Sequence, residues 1–293
     1  MWKKPWTLKE GFLIGAGLIV TGLLLELTVG AVEWDVFAWP TNIIVLAVFV
    51  LLIIAAYCCR SKVYAFRFLG TFQAAVPALA YAVALTIVMG LTRQTIDGRG
   101  LNNMLSFWPF VLVYVYMAFI LGLVTLRHLH HFHWKRDIPF LLNHLGLFIA
   151  LTCATLGNAD MQRLKMLTTI DQVEWRALDA DMNLHELPLA IELKKFIMEV
   201  YDDGSPKRFA SEIQIMTKKG KNFHTTVDVN KPAEVEGWKI YQFGYDTNAG
   251  ADSRISILEL VRDPWLPAVY TGIGMMLLGA ASMLLFGVRR GQS

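Results

Sequence analysis

Histidine is the residue type whose placement in this sequence points most directly to chemistry. His144 follows Asn143 inside an apolar stretch that reads IPFLLNHLGLFIALTCATLG, from Ile138 to Gly157. A helix of that length can cross a bilayer, and an ionisable side chain within it is costly to bury. A neutral imidazole is also the commonest metal ligand among side chains. His144 is therefore the first candidate functional residue.

Four further histidines fall within six residues just before that stretch: His128, His130, His131 and His133. A histidine-rich tract could bind a metal, but this one lacks the paired Cys/His spacing of a zinc site. We interpret the segment 127–137 as a basic loop facing lipid headgroups, and metal binding by its histidines stays open. His185 and His224 are isolated and are interpreted as surface residues. No Ser/His/Asp arrangement or carboxylate pair is present, so no catalytic residue is predicted.

The composition is that of an integral membrane protein. Hydrophobic residues make up 55% of the 293 residues, mean hydropathy is +0.44 and only 17% are charged, against about 25% in soluble domains. The net charge is +3, and no basic patch with interleaved aromatics indicates nucleic-acid binding. No CxxCH occurs, so the chain does not itself carry a covalent c-type haem. The first apolar stretch lacks a cleavage site and is interpreted as an uncleaved span.

Apolar stretches predict an α-helical membrane protein with about six transmembrane helices and one small external antiparallel β-domain between the fifth and sixth. The membrane domain, residues 1–157, has spans at about 11–30, 41–59, 71–91, 107–126 and 138–157. The external domain is 158–263, and 264–293 form the sixth span with a short cytoplasmic tail. Glu26, in the first span, lies either near the interface or in a proton or propionate environment.

The polar segment begins with NADMQRLKM, which we interpret as a helical extension of the fifth span that places Arg163 and Lys165 just outside the membrane. Alternation and turn residues then predict strands in a small sandwich or open barrel. These strands are expected at 189–201, 209–217, 221–229, 237–246 and 254–263. The predicted core is Ile191, Leu193, Phe196, Ile213, Ile215, Val227, Ile240, Phe243, Ile257 and Leu258.

Lysine and arginine at the span ends predict the orientation, because cytoplasmic loops carry the excess of positive charge. The opposite loops hold only Arg93 and Arg99. The other side holds eleven: Lys3, Lys4, Lys9, Arg60, Lys62, Arg67, Arg127, Lys135, Arg136, Arg289 and Arg290. Both termini are therefore expected in the cytoplasm, with residues 158–263 on the outer face of the membrane and His144 in the cytoplasmic half of its span.

Several motifs in the C-terminal half resemble a known family. They are HLGLF at His144–Phe148, PKRFASEIQI at Pro206–Ile215, NKPAEVEGWKIYQFGYD at Asn230–Asp246 and LELVRDPW at Leu258–Trp265, before a glycine-bearing span. Together they are similar to the ResB family of System II cytochrome c biogenesis, of which this would be a compact member. Trp265 departs from the pattern, since many members have glycine there.

The resemblance implies a role in attaching haem to apocytochromes. A ResB-type subunit pairs with a CcsA-type membrane protein that carries a tryptophan-rich haem-binding segment. The pair exports or holds haem and attaches it to CxxCH motifs of apocytochrome c. This chain would be non-catalytic alone and would form part of a haem-lyase complex.

For the site, the resemblance implies haem b held non-covalently, with His144 as an iron ligand and Asn143 bonded to the imidazole or a propionate. Arg163 and Lys165 could meet propionates at an outer haem site. A single histidine is half of an axial pair, so the other ligand is expected from another chain. Three alternatives stay open: an interhelical hydrogen bond by His144, a membrane-anchored β-domain that docks an exported partner without haem, and a haem b/quinone anchor of a respiratory reductase.

Overall fold

The computed structural model describes residues 2–95, 98–130, 134–203 and 205–286. His131, His133, Arg289 and Arg290 lie outside these residues. The chain divides into two compact units: a helical unit, Met1–Ala159 with Trp265–Ser293, and a sheet unit, Asp160–Pro264.

Seven α-helices form the described part of the helical unit. All but α3 are long and apolar enough to cross a membrane. The short α3 falls within and just after the predicted basic loop, and sequence analysis did not identify it. The helices are α1 Leu8–Thr28, α2 Thr41–Cys59, α3 Tyr64–Leu69, α4 Phe72–Leu91, α5 Trp108–His130, α6 Trp134–Gly157 and α7 Leu266–Phe286.

Helix α5 occupies the middle of this unit, in contact with α1, α2, α4 and α6. Against α2 it buries Leu123 beside Ile53 and Ala56, with Phe148 of α6 packed on the same cluster. Against α4 it buries Ile120. Helix α5 also packs on α6, and the last turns of α5 lie beside the first turns of α6.

Helices α6 and α7 pack closely through glycines. A Cβ built on Gly272 of α7 would lie 2.5 Å from the carbonyl oxygen of Gly146 in α6. Such an approach is possible only without side chains, as is usual for helix pairs in membranes. Helix α7 therefore helps to position α6, which carries His144.

Glu26 lies at the junction of α1 and α5. Its Oε2 accepts a hydrogen bond of 3.3 Å from the backbone N–H of Trp108, the first residue of α5. The Trp108 indole N–H donates to the carbonyl of Gly30 at 2.8 Å. A carboxylate at a helix N-terminus is favoured by the unpaired N–H groups and the helix dipole, so Glu26 has a structural role here.

The sheet unit is one antiparallel sheet of eight strands in the order β5-β4-β3-β2-β1-β8-β7-β6. The predicted helical extension of the fifth span is wrong, because Gln162–Thr169 is strand β1 of this sheet. Strands β2 and β6 were also not predicted. The strands are β1 Gln162–Thr169, β2 Val173–Leu178, β3 Leu184–Val200, β4 Pro206–Thr217, β5 Asn222–Asp228, β6 Ala233–Val235, β7 Trp238–Tyr245 and β8 Ile255–Arg262.

The sheet curls so that β5 at one edge contacts β6 and β7 at the other, and all eight strands contribute to one core. Most predicted core residues are buried, but Phe243 is 47% exposed and Ile257 lies on the outer face. Neighbouring residues of a strand point to opposite faces. Because Ile240 and Leu258 point inward, Gln242 takes the core position instead of Phe243.

Candidate functional site

His144 lies in the first half of α6, and its ring is held by the helix itself. Its Nδ1 is 2.9 Å from the carbonyl oxygen of Phe140, one turn earlier. A carbonyl can only accept, so Nδ1 carries the proton and Nε2 keeps its lone pair. No hydrogen-bond partner of Nε2 is found among the described residues. Metal-binding histidines commonly have this arrangement, in which one nitrogen donates to a fixed acceptor and the other is available to the metal.

The Phe140 ring stacks on His144 on one side and on His128 of α5 on the other. The ring centroids are 3.7 Å apart in both pairs, at interplanar angles of 18° and 25°. His128 repeats the geometry of His144, since its Nδ1 lies 3.1 Å from the carbonyl of Val124. Two half-buried imidazoles with the same tautomer therefore face opposite sides of one phenyl ring.

This stack corrects the interpretation of the histidine cluster as a loop. His128 and His130 belong to the last turn of α5, because the apolar periodicity of that helix continues through Leu129. His128 is half-buried, whereas His130 is exposed. Within the described residues, no group of three or more His, Cys, Asp or Glu side chains could hold a metal ion. The sequence did not identify His128 as a neighbour of His144. The one sign of this contact was that His128 lies only a few residues before the helix that carries His144.

Asn143 points to a different neighbour. Its Nδ2 donates to the carbonyl of Pro139 at 2.8 Å and lies 4.0 Å from the Met283 sulfur on α7. A Cβ built on Gly279 of α7 would be 2.5 Å from this nitrogen. Successive residues of a helix are rotated by about 100°, so Asn143 faces α7 while His144 faces Phe140. The predicted hydrogen bond from Asn143 to the imidazole is therefore not formed, and contact with a propionate stays a prediction.

Arg163 and Lys165 belong to the sheet unit, on the outer face of β1. The Arg163 guanidinium is 3.9 Å from the carboxylate of Glu259, and its side chain is 60% exposed. The Lys165 ammonium lies 4.0 Å above the Phe243 ring. The structure thus brings the two cations together beside one carboxylate and one aromatic ring. Their contact with propionates stays a prediction.

The exposed His185 is paired rather than isolated. Its Nε2 is 2.7 Å from Oδ2 of Asp179, whose other oxygen accepts the backbone N–H groups of Asp181 and Asn183 at 2.9 and 2.8 Å. The bond from His185 and then those from Asn183 lower the pKa of Asp179 to about 2. These contacts close the turn between β2 and β3 and give no sign of a metal site.

Comparisons with known proteins agree with the motifs of the C-terminal half. Residues 136–258 match the ResB-like family. The chain is 31% identical over 100 residues to the cytochrome c biogenesis protein CcsB of Prochlorococcus marinus subsp. pastoris (strain CCMP1986 / NIES-2087 / MED4), covering 34% of this chain and 22% of that protein. For CcsB of P. marinus strain NATL1A the identity is 28% over 102 residues, covering 35% and 23%.

These matches cover less than a quarter of the length of the curated relatives. Among solved structures, a cytochrome c haem lyase, CcmF, aligns with 96% of this chain and 46% of its own, at 15% identity and a TM-score of 0.38, a similarity too low to establish a shared fold. The family match includes His144 and Asn143 but ends before α7 and begins after His128. Residues 136–258 are thus similar to the ResB-like family, which confirms the resemblance of the motifs within that range.

Proposed function

We propose that the chain is the ResB-type subunit of a cytochrome c biogenesis complex, in which haem is held as a substrate at His144. The observation that carries this proposal is the position of His144 inside the ResB-like residues, with its Nε2 left available. The named relatives are cytochrome c biogenesis proteins, and haem is what such proteins must handle.

The residues present suit the binding of haem iron. The bond from Nδ1–H to the Phe140 carbonyl fixes the ring and makes Nε2 the donor atom. Phe140 and the helix backbone allow the imidazole little rotation, so ligand geometry is set before haem arrives. Bound haem would supply an iron centre that this imidazole could ligate. The mostly apolar macrocycle suits a site beside apolar helices.

A second ligand for the iron would come from a CcsA-type partner rather than from His128. Phe140 stands between the two imidazoles, so one iron cannot lie between them in this arrangement. The proximity of His128 is nevertheless what a haem b anchor of a respiratory reductase would show, since such subunits use two histidines from facing helices. That function is the second candidate, and it requires Phe140 to move aside.

The remaining parts of the proposal concern topology and partners. Both termini lie in the cytoplasm and the sheet unit in the periplasm of a bacterial inner-membrane protein, as the lysine and arginine distribution favours. The sheet unit then faces exported apocytochrome c. No residue of this chain is assigned a bond-making step, which belongs to the complex with the CcsA-type subunit.

Reconstitution tests the function. The chain is co-expressed with a CcsA-type protein and an exported CxxCH reporter in cells that lack their own cytochrome c biogenesis. We expect covalent haem on the reporter, retained when the exposed His130 is changed to Ala and lost when His144 is changed to Ala. A reporter without covalent haem, although both membrane proteins are present, would show that the proposed function is wrong.

A further inference from the structure

The N-terminal half of the chain, outside the ResB-like residues, contains a cavity to which no role is attached. Its volume is 530 Å³, and it lies where α2 ends, α4 begins and α5 approaches its own end. Three arginines line it, one from each of three segments: Arg60 after α2, Arg67 in α3 and Arg127 in α5. Arg67 and Arg127 are exposed, so the cavity reaches the surface of the molecule.

The cavity carries positive charge that no acid offsets. No carboxylate lines it in the part of the chain that the structure describes. Two of the guanidiniums are held by backbone carbonyls: Arg60 donates to Tyr57 at 2.6 Å, and Arg127 donates to Gly70 at 3.2 Å. Each guanidinium has five N–H donors, so both retain donors for a ligand. The site is therefore ordered for an anion before one binds.

The Tyr57 ring holds one of these guanidiniums at the wall of the cavity. The Tyr57 side chain is 8% exposed and lines the cavity, with the Arg60 guanidinium 3.6 Å from the ring centre. This cation–π contact fixes the Arg60 side chain at the cavity.

We propose that this cavity binds the phosphate group of an anionic phospholipid. Arginine forks bind phosphate oxygens in pairs, which a lysine cannot do. The apolar side chains of Phe66 and Leu123 line the same cavity, as an amphiphile requires. The ends of membrane-spanning helices lie at the depth of headgroups, and basic pockets between such helices bind anionic lipids. Because the cavity lies outside residues 136–258, the proposal does not depend on the proposed function.

The test measures lipid binding by the full chain. The protein is placed in nanodiscs of phosphatidylcholine with increasing phosphatidylglycerol, and retained phosphatidylglycerol is counted by native mass spectrometry. We expect Arg60→Gln, Arg67→Gln and Arg127→Gln to weaken binding at least about tenfold each, because each removes charge-assisted hydrogen bonds to the phosphate. The matched control is Lys62→Gln, which removes one charge from the same exposed loop without lining the cavity and should cost no more than the roughly fivefold that any surface cation contributes.

Two further measurements keep the proposal falsifiable if an arginine variant does not fold. Arg127→Lys keeps the charge and removes the planar fork that pairs with phosphate oxygens, so it should weaken lipid binding while leaving the protein equally stable in pure phosphatidylcholine. Millimolar inorganic phosphate should not displace the lipid. Equal losses in Lys62→Gln and the arginine variants would show that surface charge alone attracts the lipid. Displacement by free phosphate would show a soluble-anion site. Either result would overturn the proposal.

Discussion

The contact between α6 and α7 makes a sharp prediction about Gly272. A Cβ at this position would lie 2.5 Å from the Gly146 carbonyl oxygen, 2.8 Å from the Ala150 nitrogen and 3.0 Å from the Ala150 Cβ. Two of these three atoms are backbone, so no side-chain rotation can relieve the contact. The smallest possible side chain must therefore push the helices apart.

The size of the effect follows from these distances. Non-bonded contacts are normally about 3.5–4.0 Å, so α7 would have to move by about 1 Å along this line of approach. Overpacking of a tight interface costs about 1–3 kcal/mol. The matched control is Gly274→Ala on the same helix, where a new Cβ meets nothing within 4 Å. That change replaces a poor helix former by the best one and should be neutral or stabilising by up to about 1 kcal/mol.

Thermal unfolding of the detergent-solubilised chain measures both variants against the wild type. We expect Gly272→Ala to lower the unfolding temperature and Gly274→Ala to leave it unchanged or raise it. Because α7 supports the helix that carries His144, Gly272→Ala should also reduce haem retention. Equal unfolding temperatures for the two variants would refute the packing argument.

Two predictions concern the sheet unit. Because the pKa of Asp179 is lowered from 3.8 to about 2, its stabilising effect is present above about pH 4 and is lost as the pH falls toward 2. Asp179→Asn should therefore lower stability against urea at pH 7 and lower it less at pH 3, whereas Asp181→Asn should leave stability unchanged at both pH values. A loss in Asp179→Asn that does not depend on pH would contradict this. Gln242→Leu should cost about 1–3 kcal/mol in urea unfolding, because Gln242 Oε1 accepts from the buried hydroxyls of Ser211 and Ser256 and only one of these can donate to the other instead. Gln214→Leu at the surface should cost less, and equal losses would refute the role of the buried cluster.

The large features of the fold follow from composition and periodicity. Six long apolar helices and a separate antiparallel sheet were predicted, because burial in lipid and half-burial in a sheet leave different hydrophobic periods. The errors arise where the hydrophobic period of a helix is followed directly by that of a strand. The segment around Arg163 and Lys165 directly follows a long helix, and its alternation was mistaken for a continuation. In fact Leu164, Met166 and Thr168 point into the sheet core, which is strand alternation.

The candidate site could be predicted in part. His144 stands out because an imidazole in an apolar helix is rare, a property of the sequence itself. Its neighbours depend on how helices pack, which spacing does not reveal. His128 was placed in a loop since its histidine-rich surroundings are polar, yet α5 continues through it and sets it against Phe140. Asn143 was expected beside the imidazole, but helix geometry turns it toward Gly279 of α7.

The most direct test of the central claim is the haem absorption spectrum of the chain purified with its CcsA-type partner. We expect the haem absorption in the wild type, its loss in His144→Ala and its return when imidazole is added to that variant. His128→Ala should keep the wild-type spectrum, because Phe140 separates His128 from the proposed iron position. An unchanged spectrum in His144→Ala would contradict the assignment of His144 as the haem ligand.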